Sequence, residues 1–583
     1  MATADLTKTP VATGHPIGFW FFFWGELAER SSYYGMRAIL ALYMTERLGV
    51  DKGDAGTFMA FFIGACYFFP LIGGLIADNF LGKYWTIVLF SVPYVIAQCL
   101  VGIENKYLVI GTLVLLAMGS GVIKPNISTL MGLTYDRERP GQTQLRTSAF
   151  SWFYMAINIG ATASQVAMPW LRNNYGYQTA FIFPAILMSI ALIVFALGKR
   201  FYAKESITRK VIGNPNDPAP SEGRTITGLP IKYVVMTAEQ KAADSRLKWQ
   251  TLGRIGALFL TIMFFWAIFD QSASTWIFFA DTYMNCTLFG VEARADAIQA
   301  FNGAFIVALV PLSVLLFKAF PLKPTTKIGI GYAFTGLSMV IMSFSGFLAG
   351  EAKPAIKVTF PEGALVVPDW QMKLEDVKAS ATGETGTYGN GVRFSSTDWE
   401  YLKDKKKQTF KNGKVILSDG REIAVKDGHL IAGPDSLSLS TAGVLEPLLK
   451  TGDELASVKQ EPAQVTVETV DWVKPSERVT VWWQVLAYLI LTMAEILVSI
   501  TGLELAFVAA PASMKSFVTA CFLSVVFLAN ILIVAPIAQL YPMMKPGVYF
   551  ACLAGMMMVV IIIYIPIAIR FNQMMAAQKA TES

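Results

Sequence analysis

Residues Phe19 to Met44 read FWFFFWGELAERSSYYGMRAILALYM, a run apolar and aromatic enough to be a membrane helix except that it carries Glu26, Glu29, Arg30 and Arg37. Each such charge near a bilayer centre costs about 3 kcal/mol, so four of them facing lipid would cost on the order of 10 kcal/mol. The acids and bases follow Glu26 at spacings of three, four and eleven residues, which puts all of them on one side of a helix with Tyr33 and Tyr34 beside them. That face must meet protein or a watery cavity. Intramembrane ionisable groups mark substrate or proton pathways. A salt-bridge ladder that only fixes packing is the alternative, and it leaves the two tyrosines unexplained.

The whole chain has the same character. Its 583 residues are 54% hydrophobic and 15% charged, with a mean hydropathy of +0.48, which excludes an ordinary soluble protein and implies many membrane spans. The net charge of +6 is modest and gives no reason to expect nucleic acid. Cys66, Cys99, Cys286, Cys521 and Cys552 lie within or beside apolar runs without metal spacing or a C-x-x-C pair, and read as small core residues. No metal or cofactor is expected. The first sixteen residues lack the apolar core of a signal peptide, so the first helix is expected to stay in the mature protein.

Apolar runs predict twelve spans, near 17–45, 55–77, 83–103, 107–133, 147–170 and 177–199, then 253–284, 291–317, 326–349, 479–510, 515–540 and 546–569. The expected architecture is an all-α membrane protein in two six-helix bundles: 1–199, and 253–350 continued by 479–583. A cytoplasmic linker, 200–252, joins them; its NPNDPAPSEG run, with three prolines, cannot cross a membrane. Arg137, Arg139, Arg146, Lys199, Arg200, Lys204, Arg209, Lys210, Lys318, Lys323, Lys327 and Arg570 fall on one side if both termini are cytoplasmic. Residues 351–478 then lie outside. There NGKVILSDGREIAVKDGHLIAG places Asn412-Gly413, Asp419-Gly420 and Asp427-Gly428 between short alternating runs, predicting a β-meander closed by tight turns in a small β-rich domain. Its Lys405–Lys407 run reads as a solvated face.

Further motifs fall inside the spans. GGLIADNFLGK, Gly73 to Lys83, joins spans two and three and looks like the short-loop motif of major-facilitator transporters; a polar turn between two capped helices is the plainer reading. GSGVIKPNIS puts Lys124 beside a proline near mid-span, where it needs a carboxylate or water. FYMAINIG carries Asn158, suited to a helix–helix hydrogen bond or a ligand. MFFWAIFDQSASTW buries Asp270 and LTMAEILVSITGLEL buries Glu495. Two cations of the first half, Arg37 and Lys124, thus face two acids of the second, and pairing across the bundles could gate a central cavity.

GELAERSSYYGMR resembles the E-x-x-E-R helix of the proton-dependent oligopeptide transporters, and GGLIADNFLGK, GSGVIKPNIS, FSWFYMAINIG, FWAIFDQ and the AEILVSITGLEL to APASMKS stretch are similar to the same family in order. The resemblance covers every span and omits the linker and outer domain. It implies that Glu26, Glu29 and Arg30 couple to protons with help from Lys124, and that Tyr33, Arg37, Tyr67, Asn158 and Asn302 contact a bound peptide. It also implies that Glu495 meets the peptide's amino terminus, and that Arg37 with Asp270 and Lys124 with Glu495 form outer gate pairs. A zwitterionic peptide needs a cation for its carboxylate and an anion for its ammonium, which agrees.

This chain departs from the family's animal members at Ala60, where they carry a histidine; the two histidines here, His15 and His429, lie outside the spans, so coupling rests on carboxylates. The linker is too polar for the two extra helices of many bacterial members. Val314 stands where animal members place an acid, which leaves Arg254 without that partner. The function implied is proton-driven import of di- and tripeptides across a plasma or inner membrane by a monomer embedded in lipid. A same-fold carrier of nitrate or another metabolite and a non-transporting nutrient receptor are the alternatives. An intramembrane enzyme would need a nucleophile and base or metal ligands that the spans lack.

Overall fold

The computed structural model describes residues 14–212, 223–319, 322–360, 363–367, 386–387, 393–396, 400–402, 407–416, 422–427, 429–431, 465–502, 505 and 515–582. The amino-terminal half is built from α1 (Ile17–Glu46), α2 (Lys52–Ile76), α3 (Lys83–Leu100), α4 (Lys106–Glu138) and α5 (Thr143–Leu197). The last is two rods, broken at Gly176, whose φ of 81° ends the first and starts the second. The carboxy-terminal half holds α6 (Ala238–Phe269), α7 (Thr275–Tyr283), α8 (Ala300–Ala319), α9 (Pro324–Leu348), α10 (Trp482–Glu495), α11 (Lys515–Ala529), α12 (Ala535–Leu540) and α13 (Pro546–Glu582). Among the described residues ten helical segments are long and apolar enough to cross a membrane. Helix α1 is outside that count because its acids and bases crowd the middle of the run.

Local chemistry sets several boundaries. The Asn105 side chain accepts from the Tyr107 and Leu108 amides, both at 3.1 Å, and starts α4. Thr237 and Gln240 form a reciprocal capping box that starts α6, so helix begins inside the stretch expected to be linker throughout. The span expected at 291–317 also begins late: 287–292 is a short hairpin, Ala295–Ala297 a single 3-10 turn, and α8 starts at Ala300. The span expected at 253–284 is discontinuous. Asp270–Ala273 form a 3-10 turn and Ser274 leaves helical geometry at φ −140°, ψ −75°. The freed carbonyl of Ser272 accepts from the Tyr488 hydroxyl at 3.2 Å, and that of Gln271 from the Ser274 amide at 3.2 Å and the Thr275 hydroxyl at 3.1 Å.

Lipid is as apolar as leucine, so close approach rather than water exclusion holds such helices together. The α1–α5 seam shows it: a Cβ on Gly160 would lie 2.8 Å from the Leu27 carbonyl oxygen, so glycine there lets the two backbones touch. Phe22, Tyr94, Trp276, Tyr332 and Tyr488 fill the interior, while Trp20, Trp24, Leu75, Ile190 and Ile563 make the outer surface apolar.

Between α5 and α6 the chain docks on the amino-terminal half. Tyr202 is buried, with its ring 4.6 Å from Phe22 and 5.0 Å from Phe195. The Glu205 carboxylate accepts from the Lys83 and Tyr84 amides at 2.8 and 3.1 Å, serving the free donors at the start of α3. Strands 207–212, 223–224 and 230–236 make a small sheet, and Thr227 donates to the Leu81 carbonyl at 2.9 Å. The NPNDPAPSEG run lies outside the described residues apart from Gly223.

Between Lys353 and Trp472 the described strands form two five-stranded antiparallel sheets. One holds Lys353–Phe360, Gly363–Val367, Glu400–Leu402, Lys407–Phe410 and Val465–Trp472; the other holds Gly386–Thr387, Arg393–Ser396, Gly413–Ile416, Glu422–Lys426 and His429–Ile431. Asn412-Gly413, expected to close a hairpin, instead carries the chain from one sheet to the other. Its flanking strands are not paired, and Asn412 accepts from the Asp427 amide at 3.0 Å. The strands on either side of Asp427-Gly428 pair at Lys426 and His429, and Asp427 takes φ 51°. Asp419-Gly420, Lys405 and Lys406 lie outside the described residues.

Candidate functional site

Helix α1 turns its charged face inward, and Glu26, Glu29 and Arg30 are each at most 2% exposed. Arg30 pairs with Glu26 at 3.3 Å and with Glu29. Ser120 of α4 donates to Glu29 at 3.0 Å, tying the cluster to the next helix, and the Arg30 guanidinium lies 5.4 Å from the Tyr33 ring centre. One carboxylate oxygen of Glu26 is buried without a hydrogen-bond partner. An acceptor left without a donor in a buried site is costly.

Lys124 stands within electrostatic reach of Arg30, Glu26 and Glu29, and its ammonium lies 5.0 Å from the Tyr67 ring centre. Pro125 beside it has no N–H, so the Gly121 carbonyl loses its helical donor. The structure does not bring Lys124 to Glu495. Lys124 belongs to the α1 acid cluster, whereas Glu495 accepts from Asn302 of α8 at 2.9 Å, with Thr492 sharing the same amide at 3.0 Å.

About two turns beyond Arg30, Arg37 of α1 faces Asp270 at the end of α6 at 3.8 Å, across the two halves. Asp270 also accepts from Asn530 at 2.7 Å. Glu495 lies within electrostatic reach of Arg37 and Asp270, and Tyr34 within reach of Arg30, Arg37 and Glu495. These groups therefore converge from both halves on one region. Tyr33 is buried with its ring 5.9 Å from Phe62. Asn158 donates to the Tyr154 carbonyl of its own helix at 2.9 Å, and its carbonyl borders Gly303 of α8.

A second buried ion pair joins the halves and was absent from the sequence-derived set. Arg172 of α5 meets Asp296 at 2.9 Å, with the side chains 8% and 0% exposed. Arg172 also donates to the Tyr177 hydroxyl at 3.0 Å, which donates to Glu46 of α1 at 2.8 Å. Asp296 falls inside the run expected as span eight, beside Glu292 and Arg294 at its polar start, so no isolated acid marked it; Arg172 sits just past the end of span five. Further cross-half contacts gather at this end: Gln299 to the Ala38 carbonyl at 3.2 Å, Lys52 to Thr282 at 3.1 Å, and Gln539 to Asp54 and Thr57, both at 2.9 Å. The bundles are closed over the buried charges at the end where α1 stops.

Two helical bundles meeting over intramembrane charges, with a broken helix contributing one acid, define a multi-pass membrane transporter of the major-facilitator type. The chain belongs to the POT family, whose model matches residues 84–217, 224–388 and 454–547, more than half of the sequence. It is 28% identical to peptide transporter family 1 of Drosophila melanogaster over 95% of this chain and 87% of that protein. It is 27% identical to solute carrier family 15 member 1 of Homo sapiens over 96% and 93%. The fold is similar to the crystal structure of the POT family transporter PepTSo, with a TM-score of 0.62 at 21% identity over 96% of this chain and 99% of that one. It is likewise similar to a variant of peptide transporter POT in complex with alafosfalin, with a TM-score of 0.62 at 19% identity over 96% of both chains.

Proposed function

We propose that this protein is a proton-coupled symporter that imports di- and tripeptides by alternating access. The observation that carries the reading is the convergence of Arg37 from the amino-terminal half and Glu495 from the carboxy-terminal half, within electrostatic reach of each other. A zwitterionic peptide offers a carboxylate to the first and an ammonium to the second. Recognition of the two termini and the backbone leaves side chains free to vary. Tyr33, Tyr67, Asn158 and Asn302 complete the peptide site in this proposal. Glu26 and Glu29, paired to Arg30 and near Lys124, carry the proton, and Arg37 with Asp270 closes the outer gate. Lys124, held in the α1 cluster, serves coupling, and the outer gate rests on Arg37 with Asp270.

The proposal includes twelve spans in two six-helix bundles, with the merged α5 crossing twice and α1 crossing despite its charges. Both termini and the linker 200–252 are placed in the cytoplasm and the strands of 351–478 outside. The state described is then inward-facing. Uptake of labelled dialanine into proteoliposomes, with and without an imposed proton gradient, tests the reading. Accumulation only with the gradient is expected. Uptake indifferent to the gradient overturns coupling, and accumulation of nitrate in place of dialanine overturns the peptide assignment.

A further inference from the structure

Asn530 is fully buried on the carboxy-terminal half and opens a π turn, Asn530–Val534, between α11 and α12. Such single π turns commonly sit at functional positions because they rotate one side chain out of helical register. Here the rotated amide donates one N–H to Asp270 at 2.7 Å and the other to the Val526 carbonyl at 3.0 Å. Arg37 is 3.8 Å from the other Asp270 oxygen, beyond a good charge-assisted hydrogen bond. The shortest recorded contact of this carboxylate is therefore to an uncharged amide of its own half. Helix α2 makes room for it: a Cβ on Gly64 would lie 3.2 Å from the Asn530 Cβ, and Gly56, Ala60 and Gly64 repeat every fourth residue along α2.

The geometry points to Asn530 as a positioning residue that holds the Asp270 carboxylate in place for Arg37 and supports the closed state of the outer gate. The inference rests on the gate reading given above. In the closed arrangement no other donor among the described residues reaches that Asp270 oxygen, so loss of the amide leaves a buried acceptor unserved. Once the halves part, water reaches Asp270 and replaces the amide. Loss of the amide therefore destabilises the closed state selectively, although both hydrogen bonds of the Asn530 amide stay within the carboxy-terminal half.

The test is a double-mutant cycle read by the distance distribution between spin labels on the outer ends of α1 and α7 in the reconstituted full-length protein. Asn530→Leu keeps the branched four-heavy-atom shape and removes the donor, and is expected to raise the open-to-closed ratio about tenfold, the usual reach of a hydrogen bond to a charged group. Asn530→Gln keeps a donor and should return part of the closed population, which a general packing role would not predict. In an Asp270→Asn background, Asn530→Leu should add little. If Asn530→Leu matches the parent while Asp270→Asn opens the gate, the role of Asn530 is overturned and the gate reading stands. If Asp270→Asn also matches the parent, the gate reading itself falls. Should Asn530→Leu fail to reach the membrane, Asn530→Ala replaces it in the same cycle, with the same outcomes.

Discussion

Replacing Asp296 by asparagine would leave Arg172 buried with the Tyr177 hydroxyl and Asn173, and with Glu46, beyond Tyr177, as its remaining counter-charge. Removing one partner of a buried ion pair costs about 3–5 kcal/mol, because the remaining charge has neither water nor its direct partner. Arg172 and Asp296 lie on opposite halves, so opening that end exposes Arg172 to water and returns most of the cost. The penalty thus falls on the closed state. At about 1.4 kcal/mol per tenfold, Asp296→Asn should lower the closed-to-open ratio by roughly two to three orders of magnitude. Spin labels at the Gly176 break of α5 and at the start of α8 would read this as a longer distance. Arg172→Leu combined with Asp296→Leu removes both charges, and apolar replacement of a buried pair is commonly neutral or stabilising, so closure should return. Parent-like distances in Asp296→Asn would refute the pair's part in closure. A double variant that stays open would refute uncompensated charge as the cause.

Glu26→Gln or Glu29→Gln should abolish gradient-driven uptake yet preserve peptide counterflow; normal accumulation in both variants would remove these acids from coupling. Arg37→Ala should weaken dipeptide binding by about tenfold to a hundredfold, the loss of one charge-assisted contact, measured by competition for labelled peptide. Replacing 351–478 by a short flexible linker should preserve uptake, since of the contacts described Lys52 to Asp471 at 3.3 Å, an exposed ion pair of little worth, ties this region to the amino-terminal half. Burial and the neighbouring Arg139 guanidinium hold the His15 imidazole below its ordinary value of 6.5. Folding then favours the neutral ring, so its contribution is complete above 6.5 and is lost as the pH falls through the lower folded value. Thermal melts should show the parent losing more stability on acidification than His15→Phe.

The α1 charges were legible because the cost of exposing them to lipid leaves few alternatives, and Asp270 and Glu495 because each is an isolated acid in an apolar run. Pairing was less legible. Spacing along one chain cannot say which of several acids a cation meets, and Lys124 lies with Glu26 and Glu29 rather than Glu495. Asn530 carries no charge and stands in FLANILIV, where nothing in the pattern announces a π turn. Arg172 was passed over because it lies at a span end, where a cation is cheap, and only the fold shows Asp296 opposite it. The turn signals outside the bundles marked bends correctly at Asp427 but could not tell a hairpin from a change of sheet at Asn412.

The docking of the inter-bundle segment has a mechanical meaning. Glu205 and Thr227 fasten it to the start of α3 and the end of α2, and Leu229 presses on Gly82, where a Cβ would come within 2.3 Å of it. The strand ending at Met236 runs straight into the Thr237 cap of α6. The segment is therefore a passenger of the first bundle, and under the alternating access proposed above the slack between the two bodies narrows to the few bonds around Thr237. Stiffening that pivot with a proline, or lengthening it with a pair of glycines, would change how fast the bodies swing without touching any group that binds what they carry.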